Sequence, residues 1–176
     1  MNKTFEKYQK LAQQAELSKG TLKSKEWFRK LVAQESSIRN IDKITEGLKS
    51  PDRLKVGDVV VFYYSAKTAE FLEYWDRHPL VMVTEIRNDG WLGNNFHYMH
   101  PMHRARMLYN NTKQNRGLQH EQLKFCQKRY LASYARDMRV VPSEYWDLVI
   151  QMPFEAFVNS NKMNVWKDTT RKSNKR

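Results

Sequence analysis

The sequence predicts an α+β protein with a mainly β core: a small five-stranded barrel of the SH3-like or OB-like type, with N-terminal helices and a helical insertion. Its 176 residues suffice for one domain with a core of ordinary size. The middle of the chain contains short runs of β-branched and aromatic residues bounded by turn signals, which predict strands. Apolar residues at helical spacing occur before this region and again within it.

Two amphipathic helices are predicted near the start of the chain, over residues 2–18 and 24–36. In both segments apolar residues recur at i, i+3 and i+4, which places them on one helix face. Glycine and proline then interrupt the helical pattern, so residues 37–53 are predicted to be a connector. We therefore expect residues 1–53 to form a helical extension that packs its apolar stripes on neighbouring subunits.

Five strands are predicted where the composition becomes β-branched and aromatic. They span residues 56–64, 79–86, 91–99, 138–141 and 147–153. Asn88, Asp89 and Gly90 form a turn that joins the second and third strands into a hairpin. A turn of the 3-10 type is expected over residues 142–146, and a short helix is expected after the last strand.

Helical spacing returns over residues 102–109 and 119–137, which predicts a helical insertion at about 102–137 between the third and fourth strands. The β-barrel domain, with this insertion, then covers residues 54–160. The remaining residues, 161–176, are basic and rich in serine and threonine, and they are predicted to be a mobile tail.

The formal net charge of +12 indicates an anionic partner. Residues 1–55 contain 13 Lys and Arg against 7 Asp and Glu, and residues 104–139 contain 9 against 2. Residues 56–103 are different, with 3 against 6. This distribution is typical of a mildly acidic core module with basic appendages. Any single basic run is also consistent with a solvated helix face.

The segment 104–139 is the predicted site of phosphate contacts, because few acids neutralise its charge. Such contacts bind double-stranded DNA and carry little sequence information. The predicted nucleic-acid-binding residues are Arg104, Arg106, Lys113, Arg116, Lys124, Lys128, Arg129, Arg136 and Arg139.

Aromatic residues are dense between positions 62 and 98 and allow two interpretations. They could supply stacking platforms for unpaired bases, as small barrels often do. They could also be ordinary core residues. Alternation along a strand directs about half of the side chains inward, and the surrounding segment is net negative, so core packing is favoured.

Neither a metal site nor an active site is predicted. His97, His100 and His103 recur every three residues. However, Pro101 removes the preceding residue from helical geometry, and no nearby carboxylate or cysteine completes a zinc site. The central carboxylates lack the spacing of a magnesium site. Cys126 is alone, so no internal disulfide is possible, and no cofactor is expected.

Four short patterns follow one another through the central part of the chain. They are F-Y-Y-x-x-K-T (62–68), L-x-Y-W-D-x-x-P-L-V (72–81), G-W-L-G-x-N-x-H-Y-M-x-P (90–101) and R-A-R-M-L (104–108). This order resembles a group of small virion proteins of large contractile-tailed bacteriophages, the DNA end-protector proteins. The sequence departs from the pattern of that group at Ser65 and Ala66, where Asp-Pro is expected, and at Met99 and His100.

The resemblance implies a scaffold and no active site. The matching positions expected to fix the shape of the domain are Tyr74, Trp75, Asp76, Pro79, Gly90, Gly93, Asn95, His97 and Tyr98. Gly90 and Gly93 are expected to adopt backbone geometry that no side chain tolerates. Asp76 is expected, together with Arg77, Asn95 and His97, to join loops by hydrogen bonds across the barrel.

The first functional hypothesis is a non-enzymatic structural protein of the phage virion that contacts packaged DNA, as an end protector does. Its expected partners are double-stranded DNA and other virion proteins, such as portal, neck or baseplate subunits, with several copies in one assembly and no membrane. It would occur in the virion, and in the host cytoplasm during assembly. The second hypothesis is a purely architectural head-completion, neck or baseplate subunit, and the third is a metal-dependent nuclease.

Overall fold

The computed structural model describes residues 3–15, 21–34, 41–113 and 124–173. The helices are α1 (Lys3–Gln14), α2 (Leu22–Gln34), α3 (Ile41–Thr45), α4 (Pro101–Lys113), α5 (Trp146–Val149) and α6 (Lys162–Ser173). The strands are β1 (Val59–Tyr64), β2 (Trp75–Asp76), β3 (Leu80–Arg87), β4 (Gly90–Asn95), β5 (Gln127–Leu131), β6 (Ala135–Val140) and β7 (Phe157–Val158). Within these ranges, no helix has the length and apolar character needed to span a membrane.

Five of the strands form one antiparallel sheet in the order β5-β4-β3-β1-β6. Strands β3 and β4 form the predicted hairpin, in which Arg87 pairs with Gly90 across the turn. Strands β2 and β7 form a separate antiparallel pair that aligns Trp75 with Val158. This pair holds the C-terminal part of the chain against the segment that follows β1.

Strands β1 and β3, which pair with each other inside the sheet, are buried on both faces over residues 59–62 and 80–83. In β1, Val59 and Val61 belong to the main core, whereas Val60 and Phe62 belong to a second cluster on the opposite face. The run VVVF therefore lacks polar alternation, as expected for a strand covered on both sides. The main core lies between the sheet and the helices, and the second cluster fills the concave face.

The face of the sheet that carries the second cluster is not closed into a barrel. All five strands contribute to its cluster, including Trp91 from β4 and Tyr130 from β5. A single 3-10 helix, Ala132–Tyr134, joins the two edge strands β5 and β6. Nevertheless, no ladder pairs β5 with β6 among the described strands. The predicted mainly β barrel is therefore not confirmed: the protein is α+β, with an open five-stranded antiparallel sheet.

The N-terminal helices bury their apolar stripes within the same chain. The ring of Phe5 in α1 stacks on Tyr145, with the ring centres 4.5 Å apart. Phe28 and Val32 of α2 are fully buried in the main core. The sequence had suggested that these stripes pack on neighbouring subunits. They are not available for such packing, because they are buried in the same chain. The domain boundaries at residues 53 and 160 stay a prediction.

Two predicted elements between residues 119 and 153 are wrong. Residues 127–131 and 135–137 were expected to be helical, but they belong to β5 and β6. The strand predicted at 138–141 is confirmed, because it forms the second half of β6. Pairing with β4 and β1 satisfies the backbone hydrogen bonds of these strands and overrides the local helical spacing. The strand expected at 147–153 begins instead as helix α5, with Leu148 and Val149 packed in the main core.

The C-terminal segment is also more ordered than predicted. The residues after Pro153 do not form the expected short helix; they include β7. Residues 162–173, expected to belong to a mobile tail, form α6. Val165 and Trp166 anchor this helix because both are buried against the rest of the protein.

Gly90 and Gly93 are required because other atoms approach their α-carbons closely. A β-carbon at Gly90 would collide with the backbone oxygen of Tyr130 on the neighbouring strand. At Gly93 it would collide with the side chain of Val81 and lie 2.8 Å from the backbone oxygen of Met82. The reason is thus the close packing of β4 between its neighbours, and not the unusual backbone conformation expected from the sequence.

Candidate nucleic-acid interface

Arg104 of α4 is completely buried and bonds only to interior groups. Its guanidinium donates hydrogen bonds to the backbone oxygens of Met99 and Ile150, both at 3.0 Å, and forms an ion pair with Glu155. Arg29 of α2 donates to the same carboxylate oxygen at 2.7 Å. The predicted contact of Arg104 with phosphate is therefore wrong, because this residue joins α2, α4 and the segment before β7.

A second buried network contains three of the predicted scaffold residues. Oδ2 of Asp76 lies 2.6 Å from Nδ1 of His97 and accepts a hydrogen bond from Nδ2 of Asn95 at 3.2 Å. The other oxygen, Oδ1, accepts from the backbone nitrogens of His78 and Ala156. Burial by itself raises the pKa of Asp76, but His97 and the hydrogen bonds lower it by more, so the carboxylate stays ionised. The network holds loops together and faces no solvent.

The structure divides the other predicted DNA-binding residues between separate surfaces. Lys128 and Arg129 of β5 line one cleft, and Arg129 forms an exposed ion pair with Asp89 at 2.7 Å. Arg136 and Arg139 of β6 line a different cleft. These four residues therefore do not form the single basic surface that their closeness in sequence suggested.

The remaining predicted residues are exposed or not described. Arg106 on α4 and Lys124 before β5 have exposed side chains. The side chain of Lys113 and the whole of Arg116 lie outside the described part of the chain. Neither Arg106 nor Lys124 lines the groove that has the largest positive charge among the described residues.

That groove runs between α2, the start of α4 and α6. Two adjoining cavities of about 390 and 430 Å³ share His100, Met102, Met163 and Trp166 and together form it. We call it the cationic groove. The cations that line it, apart from the buried Arg29, are Lys25, Lys30, Lys162, Lys167 and Arg171. Among its described lining residues, Glu26 is the one acid.

Trp166 forms the floor of the cationic groove and fixes its shape. Its indole Nε1 donates a hydrogen bond to the backbone oxygen of His97 at 2.8 Å. The guanidinium carbons of Arg29 and Arg104 lie 5.6 and 5.7 Å from the centre of its ring, within the range of cation–π interactions. The buried arginines therefore support the floor of the groove, and the exposed lysines surround its rim.

Two histidines, His100 and His103, line the groove beside its lysines and arginine. His100 lines it, and burial followed by the nearby cations lowers the pKa of His100 below its ordinary value. The ring of His103 lies 6.3 Å from that of His100, centre to centre. Over the described ranges, no cluster of three or more His, Cys, Asp or Glu residues could hold a metal ion. Lysine and arginine thus provide the positive potential of the groove.

Sequence reasoning did not identify the cationic groove. Its cations come from two segments more than 100 positions apart, 25–30 and 162–171. The charge count did show the excess of cations at the N-terminal end and in the last 15 residues. However, the N-terminal extension and the C-terminal tail were predicted to be separate appendages. That prediction gave no reason to expect the two segments to lie next to each other in the fold.

Comparison with known proteins identifies one family. The family model for the phage T4 terminal DNA protecting protein matches residues 2–124, which is well over half of the chain. The match contains α2, β1, β3, β4 and α4, and it ends before β5. Neither the curated proteins nor the solved structures contain a match. The protein thus belongs to the family of the phage T4 terminal DNA protecting protein.

Proposed function

We propose that this protein protects the ends of double-stranded phage DNA by binding near them through the cationic groove. The observation that carries this proposal is the charge of the groove. Lys25, Lys30, Lys162, Lys167 and Arg171 line it, opposed by a single acid among the described lining residues. The other two clefts that contain predicted DNA-binding residues have lower net charge, because acids such as Asp89 and Asp137 line them.

The groove suits the phosphate backbone of DNA in a second way. Pro101 and Lys162 are the first residues of α4 and α6, and both line it. The N-terminal end of a helix carries a partial positive charge, which attracts phosphate. Such contacts act on any sequence, and they are what a protein that protects DNA ends of variable sequence requires.

The proposed role is non-enzymatic. Protection by occupation of a DNA end needs no bond to be formed or broken, and the family description names protection alone. The buried carboxylates Asp76 and Glu155 are bonded to His97, Asn95 and arginine, so neither faces the cationic groove as a free metal ligand. We expect no cleavage of DNA in the presence of Mg²⁺.

We further propose that the protein acts within the virion, in contact with other virion proteins, after assembly in the host cytoplasm. Two exposed aromatic side chains support a protein contact: Trp27 on α2 is 48 % exposed and Phe71 is 81 % exposed. A purely architectural subunit would share these surfaces. Disruption of purified virions separates the two roles, because an end protector leaves with the DNA and an architectural subunit leaves with the protein shell.

The direct test is protection of a linear duplex from a processive exonuclease. We expect the purified protein to slow digestion from the ends, and its affinity for the duplex to fall steeply as salt rises from 50 to 200 mM. Replacement of Lys162, Lys167 and Arg171 by glutamine should remove most of the protection. Affinity that does not depend on salt, or full protection by this triple variant, would contradict the proposal.

A further inference from the structure

A second cavity of about 600 Å³ lies between the segment after β1 and strand β5. We call it the aromatic cleft. It is lined by Tyr64, Tyr74 and Trp75, by the cations Lys67, Lys128 and Arg129, and by the acids Asp76 and Asp89, of which Asp89 pairs with Arg129. Its volume lies in the range of small-molecule sites. Planar rings beside positive charges are the combination that binds nucleotides, because the rings stack on a base and the cations bind a phosphate.

Lys128 is the most informative residue of the aromatic cleft. Its Nζ lies 4.3 Å from the ring centre of Tyr98, and it forms no ion pair with any described residue. Burial lowers the pKa of this ammonium group below its ordinary value, and the charge of Asp168 offsets only part of that shift. A partly desolvated and unpaired ammonium is costly in a folded protein. An anionic ligand would remove that cost.

Two further aromatic side chains, Trp75 and Phe71, lie in or beside the cleft. Trp75 is 9 % exposed, and its indole Nε1 is a buried donor without a hydrogen-bond partner in the part of the chain described. The 3-10 helix Ala69–Phe71 lies next to the lining residues Thr68 and Leu72, and it leaves the ring of Phe71 81 % exposed. Aromatic side chains that line a cleft suit a base that has been unstacked from its neighbours.

We propose that the aromatic cleft binds the unpaired terminal nucleotide of a DNA strand, with its phosphate at Lys128 and its base against the aromatic walls. This inference rests on the proposed function and adds to it a site that recognises the end itself. The cationic groove contacts phosphates anywhere on a duplex, so it cannot by itself distinguish an end from the interior. A cleft that accepts one unstacked nucleotide can distinguish an end from the interior of a duplex.

Helix α6 connects the two sites. Lys162, Lys167 and Arg171 line the cationic groove, and Asp168 on the same helix accepts a hydrogen bond from the Tyr74 hydroxyl at 2.6 Å. A rise of about 1.5 Å per residue places the α-carbons of Lys162 and Asp168 about 9 Å apart along the helix. A duplex in the groove would therefore have its end within a few nucleotides of the cleft.

The test measures the equilibrium binding of two probes to the full-length protein. The first probe is a fluorescent tetranucleotide with a 5′-phosphate, which is too short for a duplex. The second is a covalently closed circular duplex, which has no ends. Lys128→Met keeps the apolar stem that packs on Tyr98 and removes the charge. We expect this variant to weaken binding of the tetranucleotide by about tenfold or more, and to leave affinity for the circle within about twofold.

The triple glutamine variant of the cationic groove serves as the matched control. We expect it to lose affinity for the circular duplex and to retain affinity for the tetranucleotide. Urea denaturation of each variant establishes that it is folded. Failure of the wild-type protein to bind the tetranucleotide, equal binding by Lys128→Met, or stronger competition by an acidic peptide than by the tetranucleotide would overturn the cleft proposal alone. Failure of the wild-type protein to bind the circle, with Lys128-dependent binding of the tetranucleotide retained, would overturn the groove proposal alone.

Discussion

Arg104 and Glu155, 51 residues apart in sequence, form an ion pair in which both side chains are completely buried. Arg29 bonds to the same carboxylate from a third segment of the chain. Burial lowers the pKa of Arg104 to about 10, which leaves the guanidinium charged at neutral pH. The cluster therefore places buried charges of opposite sign beneath Trp166, and the position of α6 depends on it.

We predict that Glu155→Gln lowers the free energy of unfolding by about 3–5 kcal/mol, because it leaves two buried guanidinium groups without a counter-charge. Urea denaturation at pH 7 measures this change. Glu85→Gln is the matched control, since Glu85 pairs with Arg87 at 2.8 Å with its side chain 52 % exposed. The control substitution should lower the free energy of unfolding by less than about 1 kcal/mol. Equal losses in the two variants would show that burial of the ion pair has no special effect.

The same carboxylate makes stability depend on pH. Burial by itself raises the pKa of Glu155, but Arg104 and Arg29 lower it by more, so the folded-state pKa lies well below that of the unfolded chain. A lowered carboxyl pKa stabilises the fold fully above the unfolded-state pKa of about 4.3, and this stabilisation is lost as the pH falls below that value.

The difference in unfolding free energy between the wild-type protein and Glu155→Gln should therefore be constant from pH 7 to about pH 5. Below about pH 4 it should shrink by about 1.4 kcal/mol per pH unit. Urea denaturation of both proteins at pH 7, 5 and 3 provides the measurement. A difference that is the same at pH 3 and at pH 7 would contradict the assignment of the low pKa to Glu155.

Cys126 should be unreactive in the folded protein. Its side chain is fully buried, and burial raises the pKa of the thiol to about 11. The thiolate is the reactive form, so both accessibility and ionisation oppose modification. We expect a disulfide reagent at pH 8 to label less than a tenth of the native protein within the time that it labels one thiol per chain in 8 M urea. Rapid labelling of the native protein would contradict the burial of this residue.

Gly93→Ala should destabilise the sheet by about 1–3 kcal/mol, because the added methyl group overlaps the side chain of Val81 in the neighbouring strand. Ser133→Ala, at an exposed position in the turn between β5 and β6, should change stability by no more than about 0.5 kcal/mol. Thermal denaturation followed by circular dichroism compares the two. A neutral effect at Gly93 would mean that β3 and β4 can separate without cost.

Salt dependence can identify which cations contact DNA. Removal of three phosphate contacts should reduce the slope of log affinity against log salt by about 2.7. We expect this reduction of the slope for the variant in which Lys162, Lys167 and Arg171 are replaced by glutamine. A comparison variant at the exposed residues Arg106, Lys124 and Arg136, which lie outside the cationic groove, should keep most of the wild-type slope. The reverse result would place the DNA on the 104–139 segment predicted from the sequence.

Local patterns in the sequence were sufficient for the elements with strong, uninterrupted signals. The β3–β4 hairpin follows from two apolar runs around an Asn-Asp-Gly turn, and the N-terminal helices follow from their amphipathic spacing. The segment 127–137 was wrongly predicted to be helical, because its apolar residues fit a helix and its strands form only through pairing with β4 and β1. Non-local hydrogen bonds of this kind leave no trace in a short window of sequence.

The sequence by itself determined the net charge of +12, the aromatic centre and the order of motifs that resembles the end-protector group. Only the tertiary structure decided which cations are free to meet an anion. Arg104 and Lys162 carry the same charge, yet one is buried against Glu155 and the other lies on the rim of a groove. The reason is physical: the value of a charge for binding depends on its desolvation and its nearest partner, and both are set by packing between distant segments.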